Sequence, residues 1–275
     1  MITSSSNGQI KEILQLNARG RLRKEKGLFT AEGVKLFREA PPELRKKVFV
    51  SDSFENEHKE LLAGISYEVV EDRVFGRMCD TRTPQGILTV LRMPSYEREE
   101  LLGAAYNGGK NGDAAGEEHS GRARTPLVLV LEDLQDPGNV GTILRTAEGA
   151  GVTGVILSGR CADIFQPKAI RSTMGSIFRV PFRTEENLPE AVEWLKSCGV
   201  RTCAAHLRGT VSYEKADYTE GTAFFIGNEG NGLSDTLTEA CDCLVRIPME
   251  GRVESLNAAV AAAVLMYTAH MQRHL

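Results

Sequence analysis

Two α/β domains, the second built on a parallel sheet, are the fold class the sequence predicts, and three observations predict it. Leu127-Val128-Leu129-Val130-Leu131 is a continuous apolar run, which fits a strand buried on both faces of a parallel sheet. Further short apolar runs downstream alternate with helical patterns, the signature of βα layering. Between them and the N-terminal part lies a stretch, 103–121, with six glycines among Ala, Asn, Asp and Glu and no apolar period. Such a segment buries too little surface to offset its ordering entropy. It reads as a linker over 96–124, between domains at 1–95 and 125–275.

Taken in order, the spacing predicts a helix over 10–16, then a basic turn, then a helix over 34–40 that Pro41-Pro42 stops. Residues 47–50 read as a short strand. After the linker come the strand 127–131, a helix over 140–150, a strand over 152–157, a helix over 188–198 and a strand over 200–205. Strands over 222–226 and 244–247 follow, and an Ala-rich helix over 255–270 ends the pattern. The small residues on that last helix permit close packing, so it is either fully buried or half of a subunit interface.

Composition narrows the function classes. The chain has 275 residues, 41% apolar and 25% charged, which is ordinary globular usage. The most apolar stretch, 258–267, is half of a bilayer span, and the N-terminus carries no apolar run after a basic start, so neither a membrane protein nor a secreted one is expected. Six cysteines without a C-x-x-C pair fit reduced thiols of a cytoplasmic protein better than a disulfide framework, and no metal site is expected. The net charge of −4 is unevenly distributed. Residues 1–50 carry 11 basic and 5 acidic side chains, a local +6, and the remaining 225 carry 22 and 32, a local −10. Arg19, Arg21, Arg23, Lys24 and Lys26 form the densest basic cluster. It reads either as a contact for a phosphate backbone or as a solvated helix end.

Ligands of open α/β sheets bind beyond the carboxyl ends of the strands, and three loops at such ends are unusual. The first runs Glu132-Asp133-Leu134-Gln135-Asp136-Pro137-Gly138-Asn139-Val140-Gly141. Asn139 is a candidate helix cap there, and Arg145 follows within two turns. The second is Gly227-Asn228-Glu229-Gly230-Asn231-Gly232-Leu233-Ser234, where glycines let backbone approach a ligand closely and hold a carboxylate at Glu229. It is neither a dinucleotide fingerprint nor a P-loop, so a conventional nucleotide-dependent enzyme is disfavoured. The third is Ile247-Pro248-Met249-Glu250-Gly251-Arg252-Val253-Glu254-Ser255-Leu256-Asn257. Ser255 is a candidate cap of the last helix.

These three loops, in this order over 127–269, resemble the motifs of SpoU-type (TrmH-like) RNA ribose 2′-O-methyltransferases of the SPOUT superfamily. Lys26-Gly27-Leu28-Phe29, Glu32-Gly33 and Thr83-Pro84-Gln85-Gly86-Ile87 resemble the family's small N-terminal substrate-binding domain of ribosomal L30-like fold, a shorter match. The resemblance implies S-adenosylmethionine as methyl donor, a trefoil-knotted C-terminal domain and a homodimer. It implies a cofactor pocket of Gly227, Asn228, Gly232, Ile247, Met249 and Leu256. It implies a catalytic neighbourhood of Asn139, Arg145, Glu229, Ser255 and Asn257. Where the family often has Val-Ser after the third-motif Asn, this chain has Ala258-Ala259, positions expected to pack the helix.

A guanidinium stays charged in proteins, so Arg145 is expected to clamp a phosphate and developing alkoxide charge rather than to take a proton. Ser255 and Asn257 would orient the ribose hydroxyl, and Glu229 would brace the glycine loop or Arg145. RNA is the expected partner, with large-subunit ribosomal RNA favoured over transfer RNA by the added N-terminal domain, and DNA is not expected. The competing readings are a non-catalytic RNA-binding protein with a transferase-like domain and a SPOUT base methyltransferase. The first-loop Arg and third-loop Ser-x-Asn favour the ribose.

Overall fold

The computed structural model describes residues 1–103 and 125–274. They divide into two units, one of residues 1–94 together with 163–178, the other of the remainder. In the first unit, α1 (Gly8–Ala18) begins where the Asn7 side chain accepts the N–H of Gln9 at 2.8 Å. Its apolar residues Ile10, Ile13 and Leu16 recur at helical spacing and are buried. The basic segment expected as a turn is a second helix, α2 (Gly20–Lys26), closed by Gly27 in the left-handed conformation. Then come β1 (Leu28–Glu32), α3 (Val34–Glu39), β2 (Arg45–Ser51), α4 (Asp52–Glu57), β3 (Glu68–Val70), α5 (Asp72–Met78) and β4 (Ile87–Arg92). The strands form a sheet of order β1-β4-β2-β3, in which β4 is antiparallel to both neighbours and β2 is parallel to β3.

The short N-terminal motifs have a local task here. Gly33 takes a positive φ of 103°, and the Gln85 side chain accepts the N–H of Val34 at 3.0 Å, capping α3 from the turn before β4. Gly86 sits against Phe54, where a Cβ would come within 2.6 Å of that ring's own Cβ.

The second unit opens with Arg98–Leu102, a 3-10 segment whose N-terminus is closed by reciprocal hydrogen bonds of Glu97 and Glu100. Leu101 and Leu102 are fully buried, and the Thr153 hydroxyl donates to the Leu101 carbonyl at 2.8 Å. The reading of 96–103 as linker is therefore corrected: two adjacent leucines anchor this stretch in the core. The rest of the expected linker, 104–124, lies outside the described residues.

From there the chain runs β5 (Leu127–Leu131), α6 (Pro137–Ala150) and β6 (Gly154–Ser158). After α7 (Pro167–Thr173), which belongs to the first unit, come β7 (Phe182–Glu185), α8 (Leu188–Ser197), β8 (Arg201–Ala205), β9 (Val211–Ser212), β10 (Thr222–Ile226), α9 (Asp235–Ala240), β11 (Cys243–Arg246) and α10 (Ala258–His274). All seven strands are parallel, in the order β7-β6-β5-β10-β8-β11-β9. β5 and β10 lie at its centre, and every residue of both is buried. Two expected caps move by a few residues. Asp136 rather than Asn139 caps α6, accepting the N–H of Gly138 at 2.6 Å. Asn257 rather than Ser255 caps α10, accepting from Ala259 at 2.9 Å and Val260 at 3.3 Å. In both cases Asn or Asp stands directly at the first free amides, where the geometry favours it.

Residues 163–178 complete the first unit. Phe29 of β1 packs its ring 5.0 Å from Phe165 and 6.4 Å from Phe178. Arg171 pairs with Asp80 at 2.7 Å. Arg23, 3% exposed, pairs with Asp163 at 2.6 Å and donates to the carbonyls of Leu16 and Asn17. Its place in the basic RNA-contact cluster is thus corrected, because every face of the guanidinium is committed inside the unit. Arg19, Arg21 and Lys24 are exposed, and Lys26 is paired with Glu12. Among the described residues, no helix is long and apolar enough to cross a membrane.

Removing Arg23 strands a carboxylate and two carbonyls. Arg23→Ala is expected to lower stability by about 3 kcal/mol, the scale of breaking a buried pair, and Arg21→Ala to stay within about 0.5 kcal/mol. Urea unfolding midpoints measure both, and equal shifts for the two variants would contradict the assignment.

Candidate active site

The carboxyl ends of β5, β10 and β11 carry the three unusual loops, and hydrogen bonds tie the loops to one another. The first and second are joined at their bases, where Glu132 N–H donates to the Ile226 carbonyl at 2.9 Å. The Glu132 carboxylate accepts the N–H of Ser234 at 2.7 Å, closing the far end of the second loop. Within that loop Asn228 and Gly232 exchange backbone hydrogen bonds at 3.0 and 2.9 Å. The Asn228 side chain accepts from Gly230 and Asn231 and donates to the Asp133 carbonyl at 2.7 Å. So tight a turn explains Gly227. A Cβ there would stand 2.1 Å from the Gly232 carbonyl carbon, so only glycine fits.

One chain of side-chain contacts links all three loops. Asn257, at the start of α10, accepts the first free amides of that helix and donates to Asn139 Oδ1 at 3.1 Å. Asn139, in the first turn of α6, donates to Glu229 Oε1 at 2.8 Å. Glu229 Oε2 also receives the N–H of Gln135 at 3.3 Å. Burial pushes the Glu229 carboxyl up, but the Asn139 side chain and the backbone amides of the first loop outweigh it and hold the group below its ordinary value. A carboxylate held ionised in this way is a brace, not a proton acceptor near neutrality.

Beside this chain of contacts lies a pocket of about 260 Å³. Gly227, Asn228 and Gly232 form one wall and Ile247, Met249 and Leu256 another, so all six residues expected to hold a cofactor line one cavity. Glu229 and Ser255 reach it as well, whereas Asn139, Asn257 and Arg145 are not part of its wall. Arg145 is exposed on α6, with no hydrogen bond or ion pair among the described residues. Ala205, His206 and Leu207, just past β8, also line the pocket and were not singled out from the sequence. The signal was available in their position after a parallel strand, but the loop lacks the Gly, Asn and Asp density of the first two loops. His206 accepts the Arg208 N–H on Nδ1 at 3.0 Å, and burial, then Arg208, push its pKa down. Among the described residues, no group of three or more His, Cys, Asp or Glu side chains is placed to hold a metal ion.

The model of the SpoU rRNA methylase family matches residues 126–267. The chain belongs to that family. An MRM3-like substrate-binding domain model matches residues 7–89. The chain is 34% identical over 268 residues to a Bacillus subtilis protein named 23S rRNA (guanosine(2553)-2′-O)-methyltransferase RlmP, covering 97% of each. An AdoMet-bound rRNA methyltransferase of Sinorhizobium meliloti is similar in structure at TM-score 0.79 and 29% identity, covering 100% of this chain and 97% of that one. The SpoU methyltransferase AviRb of Streptomyces viridochromogenes, in complex with AdoMet, is similar at TM-score 0.80 and 25% identity, covering 98% and 99%. The SpoU match contains the central strands of the parallel sheet and all three loops. The substrate-binding match ends inside β4, so it leaves out 163–178, which the structure adds to that unit.

Within the SpoU domain, Asn139→Ala removes one of the donors that hold Glu229 ionised. The Glu229 carboxyl is expected to titrate above its wild-type value. In the wild type the stability it contributes is present above the ordinary carboxylate pKa and lost as pH falls through the lowered one. In the variant that contribution is lost at higher pH. Carboxyl-carbon NMR titration reads the shift, and an unchanged Glu229 curve would contradict the brace.

Proposed function

We propose that the chain is an S-adenosylmethionine-dependent RNA ribose 2′-O-methyltransferase acting on large-subunit ribosomal RNA. The observation that carries this reading is the convergence of three sequence-distant loops on one pocket, locked by Asn257, Asn139 and Glu229. The pocket suits the cofactor. Ile247, Met249 and Leu256 offer an apolar surface for a purine, and the glycine loop offers backbone groups for its polar edges. When bound, S-adenosylmethionine supplies a sulfonium methyl group open to in-line attack by an oxygen.

The chain's own residues then have distinct tasks. Arg145, without a hydrogen bond or ion pair among the described residues, is available to hold an RNA phosphate and stabilise charge developing on the 2′-oxygen. Ser255, which makes no hydrogen bond among the described residues and lines the pocket, orients the ribose hydroxyl. Asn257 was expected to share that task, but its oxygen serves the α10 amides and its nitrogen serves Asn139. It is a positioning residue. Arg19, Arg21 and Lys24 remain as the exposed basic contacts for RNA.

The same proposal includes a homodimer, a knotted path and a cytoplasmic location. The dimer is supported by an apolar stripe on α10, where Val260, Tyr267 and Met271 are 48%, 45% and 55% exposed. They stand at helical spacing on one face of a helix that buries Ala258, Ala262, Leu265, Met266 and Ala269 elsewhere on its surface. The knot is supported by β10, late in the chain, lying between β5 and β8. The location is supported by six cysteines none of which is in a disulfide.

Mapping 2′-O-methyl positions in total RNA from cells with and without this protein is the direct test. One ribosomal position losing its mark on deletion is expected, and an unchanged map would overturn the proposal. Arg145→Ala is expected to lower turnover by roughly 100-fold or more while S-adenosylmethionine affinity, read by calorimetry, is retained. Arg145→Lys with near-normal turnover would refute the need for a planar guanidinium.

A further inference from the structure

Away from the hydrogen-bonded loops, two cysteines meet inside the sheet of the second unit. Cys203 of β8 and Cys243 of β11 are partners in the strand register, and their sulfurs lie 2.9 Å apart. Cys203 is fully buried, whereas Cys243 is half-buried and reachable from solvent. The Tyr218 hydroxyl is buried without a hydrogen-bond partner among the described residues, and it lies close enough to both thiols for their charge to bear on it. Neighbouring strands stand about 4.8 Å apart, within the roughly 4.4–6.8 Å between Cα atoms that a disulfide requires. The sulfurs need close by less than about 1 Å to reach bonding distance.

The geometry points to Cys203 and Cys243 as a reversible dithiol site that hydrogen peroxide converts to a disulfide, and that changes the shape of the pocket when it does so. Chemistry favours Cys243 as the sulfur that reacts first. The hydrogen bond between the two sulfurs, with Arg201 nearby, brings the Cys243 pKa down to about 7, while the same contact and burial push Cys203 up. The Cys243 thiolate attacks one peroxide oxygen, the O–O bond breaks, and the leaving hydroxide takes a proton to become water. Cys243 is then a sulfenic acid. Cys203 sulfur attacks it, the S–S bond forms, and the hydroxyl leaves as water with the Cys203 proton. In sum, two thiols and one peroxide give one disulfide and two waters, with two electrons moving from sulfur to oxygen.

The link to the pocket is positional. Side chains two apart on a strand share a face. Ala205 follows Cys203 by two residues and Val245 follows Cys243 by two, and both line the pocket. A covalent bond that draws β8 and β11 together at 203 and 243 therefore moves the pocket wall that these strands form. This second half rests on the reading of the pocket as the S-adenosylmethionine site.

The test treats the full chain with hydrogen peroxide, maps disulfides by peptide mass, and measures S-adenosylmethionine binding by calorimetry before oxidation, after it, and after dithiothreitol. A Cys203–Cys243 cross-link is expected, with affinity weakened at least about fivefold, the low end of coupling between two sites, and restored by reduction. Cys243→Ser and, independently, Cys203→Ala are expected to bind alike before and after peroxide, and Cys198→Ser to respond as the wild type does. Oxidation without that cross-link, or a cross-link that leaves affinity unchanged, would overturn the inference. Reduced wild-type protein that fails to bind S-adenosylmethionine would instead strike the proposed function, while the peptide map would still report on the dithiol.

Discussion

The chain of contacts from Glu229 through Asn139 to Asn257 is the constraint on which the rest of the site depends. Each of these residues comes from a different loop, and each loop leaves a different strand or enters a different helix. No local preference holds them together. Glu229 is ionised because Asn139 and backbone amides donate to it. Asn139 is oriented because one end meets a carboxylate and the other an amide donor. Asn257 is oriented because the first amides of α10 fix its oxygen. The chain carries a direction of polarity from a helix N-terminus to a carboxylate, which hydrogen-bonded groups in series reinforce.

That arrangement is made possible by the sheet. Seven parallel strands put all their carboxyl ends on one side, and the central placement of β10 beside β5 brings the glycine loop next to the loop that starts α6. The glycine loop can then be tight, because Glu132 and Asn228 hold both of its ends and Gly227 has no side chain to obstruct it. The first unit obeys a different economy. Its basic segment is not wholly a contact surface: Arg23 and Asp163 fasten a segment far along the chain, and Phe29 supplies the apolar floor under Phe165 and Phe178.

Much of this was legible beforehand, and the exceptions have physical reasons. The continuous apolar runs located β5 and β10 to the residue, since strands buried on both faces leave no polar alternation to blur their limits. The six residues expected to hold a cofactor were picked out through the resemblance of whole motifs, and they line one cavity. The caps were displaced because several Asx and Ser residues stand close together at each helix start, and only the backbone decides which meets the free amides. Arg23 was misread because a cluster of basic residues looks uniform in sequence, while one member faces inward to a carboxylate 140 residues away. The His206 loop was passed over because its composition is ordinary and only its position is not. Strands β1, β3, β4, β7 and β9 and helices α4, α5, α7 and α9 were not among the expected elements; none is longer than seven residues.

The central claim is that Glu229, Asn139 and Asn257 act as one unit to shape the pocket. A double-mutant cycle on S-adenosylmethionine binding, with Glu229→Gln, Asn257→Ala and the pair together, tests it most directly, because these two side chains are joined through Asn139. The account predicts losses that fail to add, with a coupling of about 1 kcal/mol or more between residues of one hydrogen-bond network. Losses that add within about 0.5 kcal/mol, as for independent sites, would contradict it.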